Sequence, residues 1–105
     1  MNCKDKNVLV CGMARSGVAA ANLLAEEGAV VTIADFKNEE ALKASMDNLD
    51  KKVKVITGRN PEAESLNQDL IVLSPGVPAD LPYILKAKES GVPVIGEFEL
   101  ASRFC

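Results

Sequence analysis

An α/β fold, a doubly wound parallel sheet of five strands between two layers of helices, follows from three observations on the sequence. Short β-branched runs alternate with Ala- and Leu-rich segments of helical length. Several of those runs are apolar almost throughout, as strands covered on both faces are. Glycines and prolines punctuate the junctions, where the chain must turn. Strands separated by helices imply parallel pairing through right-handed crossovers.

The elements follow in order. Asn7-Val8-Leu9-Val10-Cys11 is the first strand. Ser16 to Glu27 is a helix with a small close-packing face of Val18 and Ala19-Ala20-Ala21. Ser16 is expected to cap it, and Gly28 to stop it. Val30 to Ala34 is the second strand. Asn38 opens a second helix, with Glu39 and Glu40 where the helix dipole favours acids. Leu42, Met46 and Leu49 then share one helical face. Val53 to Ile56 is a third strand, and a turn of helix is expected around Glu62 to Leu66. Leu70 to Leu73 is the fourth strand. Asp80 to Ser90 is a third long helix, with Pro82 in its first turn and Gly91 beyond its end. Val92 to Ile95 is the fifth strand. Glu97 to Phe104 reads as a helix still in progress, so Cys105 is expected to be an internal boundary rather than a natural end. The whole is expected to be a three-layer αβα, Rossmann-like sheet of strand order 3-2-1-4-5.

Composition narrows the function classes. A chain of 105 residues makes one domain. The 12 basic and 15 acidic residues leave a net charge of −3, which argues against nucleic acid as a partner. The apolar runs are of strand length, so no membrane span is expected. Met1 to Lys6 carries no apolar signal region. Three cysteines, an odd number without close pairing, suit a reducing cytosol. Histidine is absent, which removes the commonest general base and a usual zinc ligand. A binding domain without catalytic or metal-ligating residues of its own is therefore expected.

Two loops carry the binding chemistry. Gly12-Met13-Ala14-Arg15-Ser16-Gly17 joins the first strand to the first helix. Its outer glycines serve a tight turn and close helix–strand packing. The amides of Ala14, Arg15, Ser16 and Gly17 then point outward at a helix N-terminus, a phosphate-binding geometry. The dinucleotide fingerprint has a middle glycine where this chain has Ala14. Asp35 closes the second strand at close to the ~20-residue spacing of a ribose-binding acid. A strand-end Asp that caps the next loop is the plainer reading of the same residue. Lys37 can meet a phosphate or a base carbonyl, or stay solvated. No G-x-x-x-x-G-K-[ST] phosphate loop is present, so ATP hydrolysis by this chain is not expected. The second loop, Ser74-Pro75-Gly76-Val77-Pro78, follows the fourth strand and should face the first across the crevice at the switch point. Gly76 is free to take φ > 0 or to let a ligand approach. These features fit a nucleotide-diphosphate site. They also leave open an NAD(P)-binding Rossmann module and an interaction domain whose glycines are structural.

The strand-Gly-x-Ala-x-Ser-Gly turn, the Asp closing strand two, Leu-Ile-Val-Leu-Ser-Pro-Gly-Val-Pro at 70–78 and Gly-Glu-Phe-Glu-Leu-Ala at 96–101 together resemble the N-terminal domain of the Mur ligases. The likeness covers the chain in order and points to the D-glutamate-adding branch. It implies a bacterial cytoplasmic enzyme of peptidoglycan synthesis, in which this domain, residues 1–105, holds the UDP part of UDP-N-acetylmuramoyl-L-alanine. Central and C-terminal domains of the same chain would supply ATP and Mg²⁺ binding and D-glutamate binding. The reaction it implies makes an acyl phosphate on the L-alanine carboxylate, which the D-glutamate amine attacks. The domain itself would need no cofactor, and the protein is expected to be a monomer. By position, Arg15 and Ser16 would hold the diphosphate through backbone amides, with Gly12, Ala14 and Gly17 around it. Asp35, Phe36 and Lys37 would surround the uracil, and Ser74, Pro75 and Gly76 would close the site from the second loop. Some relatives carry Thr and Arg at positions 36 and 37. Phe36 offers stacking in place of a hydroxyl, and Lys37 keeps the charge without the planar fork.

Overall fold

The computed structural model describes residues 3–104, with side chains over 3–100. Cys105, the proposed internal boundary, lies outside the described residues, as do Met1 and Asn2 of the N-terminal segment. Five strands form one parallel sheet of order β3-β2-β1-β4-β5, as the alternating pattern predicts. They are β1 (Asn7–Cys11), β2 (Val30–Asp35), β3 (Lys54–Thr57), β4 (Leu70–Leu73) and β5 (Val94–Gly96). The helices are α1 (Arg15–Glu26), α2 (Glu39–Asp47), α3 (Pro82–Glu89) and α4 (Glu97–Phe104), with a short 3₁₀ turn at Glu64–Asn67. Among the described residues no helix is long and apolar enough to cross a membrane.

Each face of the sheet buries its own core. Val8, Val10, Val31, Ile33 and Val72 point to one side, against Ala21 and Leu24 of α1, Leu42 of α2 and Leu100 of α4. Leu9, Cys11, Ile71 and Leu73 point to the other, against Tyr83, Ile84 and Ala87 of α3. Consecutive residues of β1 and β4 thus serve opposite faces, which is why those strands are apolar throughout. The edge strand β3 has no fully buried residue and starts one residue later than the sequence pattern predicts.

The helix ends follow local chemistry. Gly28 and Gly91, at φ +91° and +92°, close α1 and α3. In α1 the Gly28 N–H bonds the Ala25 carbonyl and the Ala29 N–H bonds that of Leu24. In α3 Gly91 and Val92 do the same to Lys88 and Ala87. Both are Schellman closures, which need a left-handed residue. Asn38 caps α2 through its side chain, accepting from the Ala41 N–H at 2.9 Å. Ser16 does not cap α1. The helix starts at Arg15, Ala14 holds the cap position, and no side chain closes that end.

Candidate functional site

The carboxyl ends of β1, β2 and β4 open on a crevice of about 350 Å³. That is within the size range of small-ligand sites. The crevice lies at the switch point, where the chain leaves β1 and β4 for opposite faces of the sheet.

Gly12 ends the first strand at φ +100°, a conformation that favours glycine. A Cβ there would stand 2.9 Å from the Ser74 hydroxyl oxygen and 3.0 Å from Val77. One on Gly17 would fall on the Gly12 carbonyl oxygen. The two outer glycines therefore let the first turn of α1 close against β1 and the second loop. Beyond them the N–H groups of Arg15, Ser16 and Gly17 find no acceptor among the described residues. An uncapped helix start presents partial positive charge to an anion.

Asp35 ties the neighbouring loops together. One carboxylate oxygen accepts the Met13 N–H at 2.8 Å and the other accepts the Lys37 N–H at 2.9 Å. The loop-capping reading of Asp35 thus holds, and the same carboxylate also fixes the glycine loop. Next to it, Phe36 is 72% exposed, an unusual position for a phenyl ring. The Gly58 N–H bonds the carbonyls of Asp35 and Lys37, which draws Asn60 and Pro61 to the same wall. Across the crevice Ser74 is buried at 3% exposure, and its hydroxyl lies 3.1 Å from the Gly12 carbonyl and 2.8 Å from a Glu97 carboxylate oxygen. Gly76 has no positive φ, so the first reason for a glycine there fails. A Cβ on it would meet nothing within 4 Å, which leaves it open to an approaching ligand.

At the floor, Cys11 lies in the same buried cluster as Tyr83, whose hydroxyl interacts with the thiol. Burial pushes the Cys11 thiol up to about 11, only partly offset by that hydroxyl. Burial, with the thiol beside it, also raises Tyr83 above its ordinary value. Cys11 is therefore an inert thiol at neutral pH. Among the described residues no group of three or more His, Cys, Asp or Glu side chains is placed to hold a metal ion.

Seven of the eleven expected site residues line this crevice: Gly12, Ala14, Asp35, Phe36, Lys37, Ser74 and Gly76. Arg15 lines a separate cavity between α1 and α2 with Asn22 and Asn48, so its side chain is not part of the crevice wall. Ser16 sits exposed in the first turn of α1, Gly17 is buried there as a packing residue, and Pro75 is an exposed corner of the second loop. Met13, from the glycine loop itself, also lines the crevice, as do Asn60, Pro61, Leu81 and Tyr83, which carry no signal in their local sequence.

The likeness to known proteins agrees with this fold. A family model described as "Mur ligase MurD-like, N-terminal domain" matches residues 6–96. The chain is 47% identical over 105 residues to the UDP-N-acetylmuramoylalanine–D-glutamate ligase of Koribacter versatilis (strain Ellin345), covering 99% of this chain and 23% of that protein. It is 48% identical over 106 residues to the ligase of the same name from Alkaliphilus oremlandii (strain OhILAs), again covering 23% of that protein. The chain thus spans about a quarter of the length of these relatives. Among solved structures, the dehydroquinate dehydratase and shikimate dehydrogenase of S. pombe AroM superposes with a TM-score of 0.65 at 15% identity, over 98% of this chain and 26% of that one. That likeness is one of fold. With the family match spanning all five strands, the chain belongs to the MurD-like N-terminal domains of the Mur ligases.

Proposed function

We propose that this chain is the UDP-binding domain of an ATP-dependent ligase that adds D-glutamate to UDP-N-acetylmuramoyl-L-alanine in bacterial peptidoglycan synthesis. The observation that carries the reading is the uncapped start of α1 at the edge of a ligand-sized crevice. Three backbone N–H groups, of Arg15, Ser16 and Gly17, lack acceptors there among the described residues. A diphosphate supplies those acceptors, and its charge matches the helix end. The exposed ring of Phe36 offers a stacking face for uracil, and the Lys37 ammonium a donor for a base carbonyl or phosphate. Ser74, Pro75 and Gly76 flank the nucleotide from the second loop. Asp35 acts through the loop amides it holds.

ATP, Mg²⁺ and the D-glutamate amine are assigned to central and C-terminal domains of the same protein, its partners in the reaction. No residue of this domain is assigned a proton transfer or a nucleophilic step. Its task is to hold the substrate's nucleotide end so that the L-alanine carboxylate reaches the catalytic parts. The protein is taken to work as a monomer in the cytoplasm.

The test is a titration of the labelled chain with UDP, NADH and ATP, followed by amide shifts and melting temperature. UDP at a hundred times its dissociation constant should add about 2.7 kcal/mol of stability. Its shifts should cluster at residues 12–17 and 74–78. A response to NADH in place of UDP would move the assignment to a dinucleotide module.

A further inference from the structure

One wall of the crevice comes from neither glycine loop. Across the carboxyl ends of the strands the order runs β3, β2, β1, β4. The first loop leaves β1 and the second leaves β4, while Phe36 and Lys37 follow β2. Asn60 follows β3 and lines the crevice at the end away from the second loop, next to the β2 wall.

Its backbone is pinned on both sides. Gly58, at φ +77°, turns the chain after β3, and its N–H bonds the carbonyls of Lys37 at 2.8 Å and Asp35 at 3.2 Å. The Asn60 carbonyl accepts the Glu62 N–H at 3.0 Å and the Arg59 guanidinium at 3.2 Å. That guanidinium also meets both oxygens of the Glu64 carboxylate. Pro61 is fully buried and disfavours a helical backbone at the residue before it. The Asn60 carboxamide, by contrast, has no hydrogen-bond partner among the described residues. The side chains of Asn22, Asn38 and Asn48 all bond backbone groups. Asn60 is half-buried, so an unpaired amide on a fixed backbone faces a ligand-sized space.

A carboxamide holds an acceptor beside a donor. Uracil presents an N3–H between two carbonyls, so one amide meets two adjacent groups of its edge at once. Asn pairs with bases in nucleic acids by the same planar match. The exposed ring of Phe36 offers a base only a face to stack on. The Lys37 ammonium has donors alone, which suit the remaining carbonyl and repel the amine of cytosine. An amide turned end over end would pair with cytosine too, so Asn60 supplies the grip on the edge and Lys37 the choice of uracil.

We infer that Asn60 reads the base edge of the bound nucleotide, its carbonyl accepting the uracil N3–H and its NH₂ donating to the adjacent ring carbonyl. The inference rests on the UDP reading above and adds a base-reading residue to it.

The experiment measures the affinity of the unmodified chain, Asn60→Ala and Asn60→Leu for UDP and for 3-methyluridine 5′-diphosphate, which lacks the N3–H. The unmodified chain should bind the methylated ligand about tenfold or more weakly than UDP, the scale of one bidentate base contact. Both variants should bind UDP about tenfold more weakly than the unmodified chain and hold the two ligands within about twofold of each other, since the group that senses the N3–H is gone. Urea unfolding of the variants should match the unmodified chain, because the carboxamide bonds nothing within the protein. Equal binding of the two ligands by the unmodified chain overturns the inference and leaves the UDP reading standing. A preference for UDP that survives in the variants does the same, because another group then reads the N3–H. Loss of stability in both variants overturns it as well, since the carboxamide would then have a partner inside the protein. If the unmodified chain takes no UDP, both readings fall.

Discussion

Two glycines of the site answer to different physics, and single substitutions separate them. A methyl on Gly17 runs into the Ser74 hydroxyl and into the Gly12 carbonyl, and the carbonyl cannot give way without moving a strand end. Gly17→Ala should cost about 1–3 kcal/mol, the usual range for an overpacked site. A methyl on Gly76 meets nothing within 4 Å, and the backbone there suits any residue. Gly76→Ala should change stability by less than about 0.5 kcal/mol yet weaken UDP, because the methyl stands in the crevice. Urea unfolding and UDP titration of both variants check this. Equal losses of stability would mean that the second loop is packed more tightly than its open surroundings indicate. The outer glycines of the first loop were legible because a strand, a Gly-x-x-x-x-Gly turn and a helix sit side by side in the chain. Their neighbour Ser74 lies 62 residues from Gly12. The Ser74–Glu97 contact left no local mark, so Glu97 entered the reading only as part of a family-like segment.

At the level of elements, α1 contrasts with α2. Both have an extended residue at the cap position, Ala14 with φ −71° and ψ 172° and Asn38 with φ −75° and ψ 166°. Only Asn38 supplies a side-chain acceptor. A residue with a capping side chain would satisfy α1 and occupy its anion site. Ala14→Asp should therefore stabilise the fold by about 1 kcal/mol while weakening UDP about tenfold or more, since a carboxylate would face the diphosphate. Gains in both properties would remove the anion role from this helix end. The strands and most helix boundaries were legible because each depends on neighbours in sequence: apolar runs, a glycine after the last turn, an Asn before the first. The start of α1 was misjudged for the same reason. Ser16 has the right chemistry for a cap, but Gly12 at φ +100° turns the chain early enough for the helix to begin at Arg15.

The whole molecule places its crevice over one of two cores, and that core carries a pH dependence. Cys11 belongs to the α3 side of the sheet, packed with Leu73, Tyr83 and Ile84. Its folded value of about 11 stands above the 9.0 of an unburied thiol. A raised value means that the folded protein holds the proton more tightly than the unfolded chain. The contribution to stability is therefore complete below pH 9 and is lost as pH rises toward 11. Two units correspond to a loss on the order of 2–3 kcal/mol across that window. Tyr83, raised by burial beside the thiol, adds a loss of the same sign that begins above its ordinary value of 10.0. Cys11→Ala removes the first of these losses. The unfolding free energy of that variant should start lower, because a buried side chain has been cut back. It should then fall less than the unmodified chain between pH 9 and 10, before Tyr83 takes over. Urea midpoints measured at half-unit steps decide the matter. Parallel curves for the two proteins would show that the thiol is not the group that couples this core to alkaline pH.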